Sequence, residues 1–570
     1  MCGISGIISK KIITKVDFVN QKKLCKLLKH RGPDATKVIK TKNYITGCTR
    51  LAIVDIKKRS NLPMENKRYI ISFNGEIYNF RELRNKLINY GTKFNTKSDT
   101  EVLLKLYEKF GIKCFRKLEG MYAVVIYDKK NKNSIFARDP LGIKPLYYNI
   151  NSNKIFYSSE LRVLGSFQKQ TLNYKKIKEY ILTDNIIGKE TLFKNFYKIE
   201  KGQVIVFNKN IEIIKRLNNK IFSYKKNKKF KTLNIKSFFN NRVIKHIPAD
   251  NIKAGIFLSS GIDSSLIAKI ISHELFKKKI KLKAFSAFIK FPKINEEKSI
   301  NSILQKIPNM KIISKKIEKN SYLNDFIYLS KNLDFPVFNP HLLALHQLSK
   351  KMKNKNIKVA FTGDGADELF NGYNWGKANY KDEKEILLFG LNKNLNSYDY
   401  LFKKNIKIES DFDKSVKKFK KHTKKLKKKD KIRFFNQNNY LEKYLYTRDA
   451  IGMLNSVEIR VPYCDTSLYR IVNKKFDASF QNKIILKKIA KENNFQDFKK
   501  KIGFTIPLRS WFTKNVIKKL ISKTNLHKSK YINFENFISC INNKNFLEKN
   551  IRLIWSIIAF EIWVKNRFVN

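Results

Sequence analysis

Leu258-Ser259-Ser260-Gly261-Ile262-Asp263-Ser264-Ser265 is a loop of small and hydroxyl-bearing residues set between two apolar runs of different period. Before it, Gly255, Ile256 and Phe257 read as a buried strand; after it, Leu266, Ile267, Ile270 and Ile271 recur at helical spacing. A helix opening from such a loop leaves backbone N–H groups unpaired at the positive end of its dipole, aimed at one point, and that point suits a phosphate. Asp263 would repel a bare phosphate, so its presence predicts Mg²⁺ between carboxylate and phosphate oxygens. No Gly-Lys-Ser/Thr follows, which excludes a Walker-type loop. Taken alone, the stretch fits a serine-rich turn equally well, and the rest of the chain decides between the two.

The chain of 570 residues is long enough for at least two cores. A hydrophobic fraction of 42%, with 13% aromatic, marks a folded globular protein. The formal net charge is +72, but the lysines are spread through almost every segment alongside abundant Asn, Ile, Phe and Tyr, the pattern of an AT-biased coding sequence. With no recognised nucleic-acid motif, the charge predicts non-specific attraction to polyanions and no specific nucleic-acid partner. Cys2, Cys25, Cys48, Cys114, Cys464 and Cys540 form no CxxC pair, which favours a reducing cytoplasm over a secreted, disulfide-bonded fold. No apolar run reaches the roughly 18 residues of a membrane span. The nearest, Ile551 to Val564, is interrupted by Arg552 and Glu561 and reads as a half-buried helix. The opening Met-Cys-Gly-Ile carries neither the basic nor the apolar region of a signal peptide.

Cys2 is followed by a Gly-Ile-Ser-Gly-Ile-Ile run that reads as a buried strand. With Met1 removed, Cys2 would carry both a thiol and an α-amine titrating near about 7.7 to 8.0, so that one residue supplies nucleophile and base. Charged turn and strand segments follow: His30-Arg31-Gly32-Pro33-Asp34, Arg50-Leu51-Ala52-Ile53-Val54-Asp55, Phe73-Asn74-Gly75-Glu76-Ile77-Tyr78-Asn79, and a helix start in capping-box form at Ser98-Asp99-Thr100-Glu101. Each has a plain structural reading as an edge strand, a hairpin turn or a cap; four in this order behind Cys2 are harder to explain that way. Together they resemble the glutaminase domain of the class II glutamine amidotransferases, and Leu118 to Ala123 and Arg138 to Tyr148 continue the likeness as scaffold strands and turns. The resemblance implies an N-terminal nucleophile (Ntn) hydrolase αββα sandwich. It also implies site roles: Arg50 for the glutamine α-carboxylate, Asp99 for its α-ammonium, Asn74 and the Gly75 N–H as oxyanion hole, and Glu76 lining the pocket.

The signals fade into a lysine- and asparagine-rich stretch between Gln203 and Lys253, where the domain boundary is expected; beyond it, strand-like and helical runs alternate, as in a parallel α/β sheet. The Leu258 loop resembles the S-G-G-x-D-S loop of the ATP pyrophosphatases, with Ser260 in place of the middle glycine. A second oxygen-rich loop, Phe361-Thr362-Gly363-Asp364-Gly365-Ala366-Asp367-Glu368, follows the apolar Val359-Ala360; its spacing does not match an EF-hand. Ser456 to Asp465, with Arg448 to Met453 before it, resembles the asparagine synthetase signature, with Ala450 replacing arginine and Gly452 replacing serine near the acceptor region. Gly503 to Leu508 and Trp511 complete the likeness. The resemblance implies ATP contacts at Leu258, Ser259, Ser260, Gly261, Asp263, Ser264, Ala287, Thr362 and Gly363, and Mg²⁺ at Asp263 and Asp367. Asp364 takes the place linked to forming the acyl-adenylate, and Lys483 that of a lysine neutralising charge on the ATP phosphates. The histidines between Pro336 and His346 read as packing or surface residues, and the lysine run from Lys414 to Lys431 as a solvated helix face.

The expected architecture is therefore α/β: an Ntn sandwich over 2–205, a linker over 206–235, and a parallel-sheet ATP-pyrophosphatase (adenine nucleotide α-hydrolase-like) domain with a helical C-terminal part over 236–570. The expected enzyme is a ligase forming C–N bonds in the manner of the glutamine-hydrolysing asparagine synthetases, with glutamine, aspartate and Mg-ATP as small-molecule partners, an internal ammonia tunnel, and a homodimer as candidate assembly. The departures at Ser260, Ala450 and Gly452 keep open an amidotransferase of the same superfamily acting on another acid, such as a sugar uronate.

Overall fold

The computed structural model describes residues 2–218, 234–289, 296–307, 309–373, 383–387, 395–403, 410–475, 482–495 and 506–568. Its first unit is built on the strand Cys2–Ser9, buried along its whole length and paired antiparallel on both sides, with Tyr44–Arg50 and with Lys154–Ser158. Gly3, Ser5 and Gly6 in this strand leave room for close neighbours on both faces, which is why it sits in the middle of a six-stranded sheet. A second six-stranded antiparallel sheet contains Tyr69–Ile77 and Gly120–Asp128, paired in unbroken register. The sheets meet face to face: Tyr44 stacks on Tyr127 with centroids 4.4 Å apart, and the Thr46 and Ser72 hydroxyls lie 2.7 Å apart. Helix Lys15–Leu27 packs on the first sheet and Asp99–Phe110 on the second, which gives the expected αββα sandwich.

The second sheet extends past residue 205, the expected boundary. Gln203–Phe207 pairs on one side with Ser134–Arg138 and on the other with Ile213–Asn218, an exposed edge strand. Of the expected linker, residues 219–233 lie outside the described residues, and helix Ile235–Lys245 opens the second unit.

That unit carries a five-stranded, all-parallel sheet ordered Met310–Lys316, Leu282–Phe288, Ala254–Phe257, Val359–Phe361, Glu458–Arg460. Chain order reverses between Ala254–Phe257 and Val359–Phe361, and the crevice beyond the carboxyl ends of two such strands is where open α/β sheets bind ligands. Both oxygen-rich loops leave from those two strands. Helix Ile262–Lys277 begins directly after Gly261, as the loop's composition predicts.

The helical C-terminal part ends in Lys544–Phe568, packed against Lys319–Asn332. Trp555 and Trp563 are fully buried, and their indole N–H groups donate to the carbonyls of Val337 (2.7 Å) and Leu333 (3.1 Å). Among the described residues no helix is long and apolar enough to cross a membrane. Part of the basic run forms helix Ser410–Thr423, in which Phe419 is buried and Lys417, Lys418, Lys420 and Lys421 are exposed, a solvated face as expected. Gly503 to Thr505 lie outside the described residues.

Of the two charges that interrupt the last helix, Arg552 is exposed but Glu561 is only 3% exposed. The Ser529 hydroxyl donates to its Oε1 at 3.0 Å. Burial pushes this carboxyl up to about 7, so the stability contributed by the protonated form is complete below the unfolded value and is lost as pH rises through 7. E561Q keeps the shape without the ionisation. It is expected to gain on the parent by about 2–3 kcal/mol as pH is raised from about 5 to 8.5. Thermal melts at both pH values check this, and a pH-independent difference would refute the ionisation cost.

Candidate active sites

Cys2 stands at the start of the first strand, opposite Arg50 in the ladder, and is buried. Its backbone N–H donates to Asn74 Oδ1 at 3.2 Å, joining the two sheets. The Asn74 amide nitrogen is buried and has no hydrogen-bond partner among the described residues, so the amide that grips Cys2 keeps a donor in hand. Gly75 follows it in the same strand, opposite Tyr122.

Arg50 is held by its own downstream loop: Nη2 donates to the carbonyls of Val54 (3.0 Å) and Asp55 (2.6 Å), Nη1 to that of Lys57 (3.2 Å) and to Asn61 Oδ1 (2.9 Å). Among the described residues no carboxylate pairs with it. Asp99 begins helix Asp99–Phe110, and its Oδ2 accepts from the Ile77 N–H at 3.0 Å. Burial pushes the Cys2 thiol up; Arg50 opposes this and Asp99 adds to it, so the fold brings the three within electrostatic reach. A raised thiol is protonated near neutral pH and needs a base, the role an α-amine on the same residue can fill.

Glu76 is tied to the second unit. Its Oε2 meets Arg460 Nη2 at 2.9 Å, while Arg460 Nε meets Glu458 Oε1 at 2.6 Å and Nη1 donates to the His246 carbonyl at 2.6 Å. One guanidinium thus stands between two buried carboxylates. Burial pushes Glu76 up to about 8, whereas Glu458, despite its burial, is held below the usual range by Arg460.

The second site is a cleft of about 350 Å³ at the switch point of the parallel sheet. Leu258, Ser259, Asp263 and Ser264 line one side, Thr362, Gly363, Asp364 and Asp367 the other, with Ala287 at the neighbouring strand end. Ser260 and Gly261 lie behind this wall: Ser260 is buried, and the Gly261 N–H donates to Ser259 Oγ at 3.4 Å. The two loops touch, since a Cβ on Gly363 would lie 2.8 Å from the Ser264 nitrogen and 2.9 Å from Asp263 Cβ, which requires glycine there.

Lys483 Nζ lies 2.6 Å from both Asp263 Oδ2 and Asp367 Oδ1 and so bridges the two loops. Burial opposes charge on this ammonium, but Asp263 and Asp367 together hold it above the usual lysine range. Its backbone is left-handed at φ 59°, a strained conformation for lysine, directly before helix Ile484–Glu492.

Asp364 accepts from Thr362 Oγ1 (2.8 Å) and, in fork geometry, from Arg448 Nε (2.8 Å) and Nη2 (3.3 Å). Arg448 and Tyr444 line the cleft and were not singled out from sequence, and His341, which reads from sequence as a packing or surface residue, lines it too. Arg448 falls inside the signature-like run, but nothing in a linear sequence gave its helical phase relative to Asp364. His346, by contrast, is a buried packing residue, pushed down to about 4 by burial, with Asn455 Nδ2 3.1 Å from its Nδ1. Two of the departures, Ala450 and Gly452, lie away from the cleft. Ala450 faces a small interdomain pocket with His30, Arg31 and Glu160, and a Cβ on Gly452 would lie 2.6 Å from the Val457 carbonyl, so β-strand packing demands the glycine.

Comparison with known proteins agrees with this two-site layout. A family model described as a glutamine amidotransferase domain matches residues 1–217, and one described as asparagine synthase matches residues 234–565. Asparagine synthetase [glutamine-hydrolyzing] 1 of Bacillus subtilis (strain 168) is 28% identical, over 99% of this chain and 96% of its own. A putative asparagine synthetase [glutamine-hydrolyzing] 2 of Methanocaldococcus jannaschii is 31% identical, over 65% of this chain and 76% of its own. Among solved structures, glutamine phosphoribosylpyrophosphate amidotransferase from B. subtilis aligns with 64% of this chain and 82% of its own, at 14% identity and a TM-score of 0.29. Over more than half of its length, and with a glutamine amidotransferase domain ahead of it, this chain belongs to the asparagine synthase family.

Proposed function

We propose that the chain makes asparagine from aspartate, ATP and glutamine through two half-reactions at the two sites. The observation that carries this reading is the Lys483 bridge between Asp263 and Asp367, which draws three separate sequence segments to one ligand crevice.

At the first site the Cys2 α-amine, free once Met1 is removed, takes the thiol proton. The sulfur attacks the glutamine amide carbon. The oxyanion formed accepts from Asn74 Nδ2 and the Gly75 N–H, and its collapse expels ammonia and leaves a thioester that water hydrolyses to glutamate. Arg50 binds the glutamine α-carboxylate, Asp99 its α-ammonium, and Glu76 borders the pocket. The unused donor on Asn74 and the carboxylate-free Arg50 support these roles.

At the second site ATP lies with its phosphates against Ser259, Asp263 and Ser264, its adenine beside Ala287, and Leu258, Thr362 and Gly363 along the nucleotide, while Ser260 and Gly261 back the loop from behind the wall. The aspartate β-carboxylate attacks the α-phosphorus; a new P–O bond forms as the bond to pyrophosphate breaks. Lys483 neutralises charge on the phosphates, and Asp364 serves the adenylate step. Ammonia then attacks the acyl carbon and AMP leaves, giving asparagine. Two carboxylates on facing loops, both within reach of one ammonium, are the hard-oxygen donors that Mg²⁺ uses beside phosphate, so Asp263 and Asp367 would hold it. Mg²⁺ bound there supplies charge neutralisation to the pyrophosphate.

Free ammonia would be protonated in water, so passage inside the protein is part of the proposal; buried ion pairs such as Arg31–Asp449 hold the two units together. We place the enzyme in the cytoplasm on its cysteine usage, with a homodimer as candidate assembly.

Cys2→Ala is expected to abolish glutamine-dependent asparagine formation while ammonia-dependent formation of asparagine and AMP persists; loss of both activities would break the division of labour. Asn74→Ala should lower the glutaminase kcat by about 10²–10³ with KM for glutamine changed far less, as measured by glutamate release. Lys483→Ala should reduce aspartate-dependent ATP–pyrophosphate exchange by about a hundredfold or more, and exchange at the parental rate would remove Lys483 from the phosphate site.

A further inference from the structure

We propose that Arg448 and Asp364 together recognise the acceptor as an α-amino acid, Arg448 taking its α-carboxylate and Asp364 its α-ammonium. The inference rests on the reaction proposed above and specifies how Asp364 serves it. Arg448 is on helix Leu441–Leu454, and it is the one arginine or lysine among the described residues lining the cleft. Lys483, the other cation at this crevice, is engaged by Asp263 and Asp367 on the phosphate loops. The cleft therefore has two charged stations, one at the phosphate loops and one at Arg448 and Asp364.

The second station is shaped for a zwitterion. Arg448 uses Nε and Nη2 on Asp364, and its Nη1 makes no hydrogen bond among the described residues, so a donor edge remains for a second carboxylate. Its side chain is 17% exposed and that of Asp364 22%, and both line the cavity. An incoming α-carboxylate and α-ammonium match this pair charge for charge. A sugar uronate carries a single carboxylate, the one to be activated, and no cation, so it would leave both stations without a partner. Ala450 does not bear on this choice: two residues further on, about 200° around the helix, it looks into the interdomain pocket.

The acceptors that test the pair are aspartate, β-alanine, which lacks the α-carboxylate, succinate, which lacks the ammonium, and D-glucuronate. Each is assayed by acceptor-dependent ATP–pyrophosphate exchange on the full chain. The parent is expected to favour aspartate over β-alanine and over succinate by about tenfold to a hundredfold in kcat/KM, the value of one charge-assisted contact each. R448A should raise KM for aspartate and collapse its preference over β-alanine, with R448K restoring part of it. D364N should do the same for the preference over succinate. If R448A and R448K instead lower kcat for all acceptors in parallel and keep the preferences, Arg448 only steadies Asp364 and the proposal is overturned. If the parent itself exchanges with D-glucuronate and not with aspartate, the acceptor of the proposed function is wrong, and this shows before any variant is made.

Discussion

Arg460 is the residue on which the two halves depend. Its side chain is fully buried, and its guanidinium meets Glu458, Glu76 and the His246 carbonyl while its own carbonyl accepts from the Thr362 N–H at 3.1 Å. Glu76 is next to Gly75 and two residues from Asn74 in one strand, and Thr362 begins the second loop lining the cleft. One side chain therefore fixes the edge of the parallel sheet and the glutaminase strand to the same point. A buried ion pair broken from one side costs about 3–5 kcal/mol because the surviving charges stay desolvated. Here Glu458 would be stranded as a buried carboxylate, and Glu76 would lose its hydrogen-bond partner as well. Arg31 and Lys144 repeat the device across the interface on Asp449, at 2.7 and 2.9 Å.

The parts legible in sequence are those that follow from backbone chemistry. A strand, a run of small residues and a helix leave unpaired N–H groups wherever they occur, so the Leu258 loop and the Phe361 loop could be found without the rest of the fold. Cys2, Arg50, Asn74 and Asp99 could be read because they stand in one order with turn and cap signals between them. The boundary was harder. Ile213–Asn218 is an exposed edge strand without alternation between buried and solvated faces, so its pattern does not differ from a loop, and it carries the sheet past 205.

The features that escaped depend on docking. Lys483 is one among 119 lysines and arginines, and only its resemblance to a family position marked it before the fold placed it between two aspartates. Arg448 needed the rotational phase of a helix against a loop far away in sequence. The tie of Glu76 to Arg460 needed both units in place. Gly452 looked like a departure at the acceptor, yet the Val457 carbonyl leaves no space for a side chain there, so packing and not substrate accounts for it.

The unusual composition has a corresponding logic. With 119 basic and 47 acidic residues, carboxylates are the scarce partner, and several of them sit where a cation is buried or where the cleft is lined. Asp449 serves Arg31 and Lys144, Asp465 serves Arg242, Glu160 serves His30, Arg31 and Arg162, and Asp364 serves Arg448. Some exposed lysines pair with nearby carboxylates, as Lys277 does with Glu274 and Lys316 with Glu318, and at physiological salt the field of the surface charge fades over about 8 Å. They raise the local concentration of anions such as ATP and free carboxylates without choosing among them. Choice begins inside the cleft, where the screening water is displaced and charge is set by a few near pairs. There Lys483 already stands between two carboxylates and Arg448 holds one, so under the recognition proposed above an acceptor has to compete with those internal partners, whatever the charge outside.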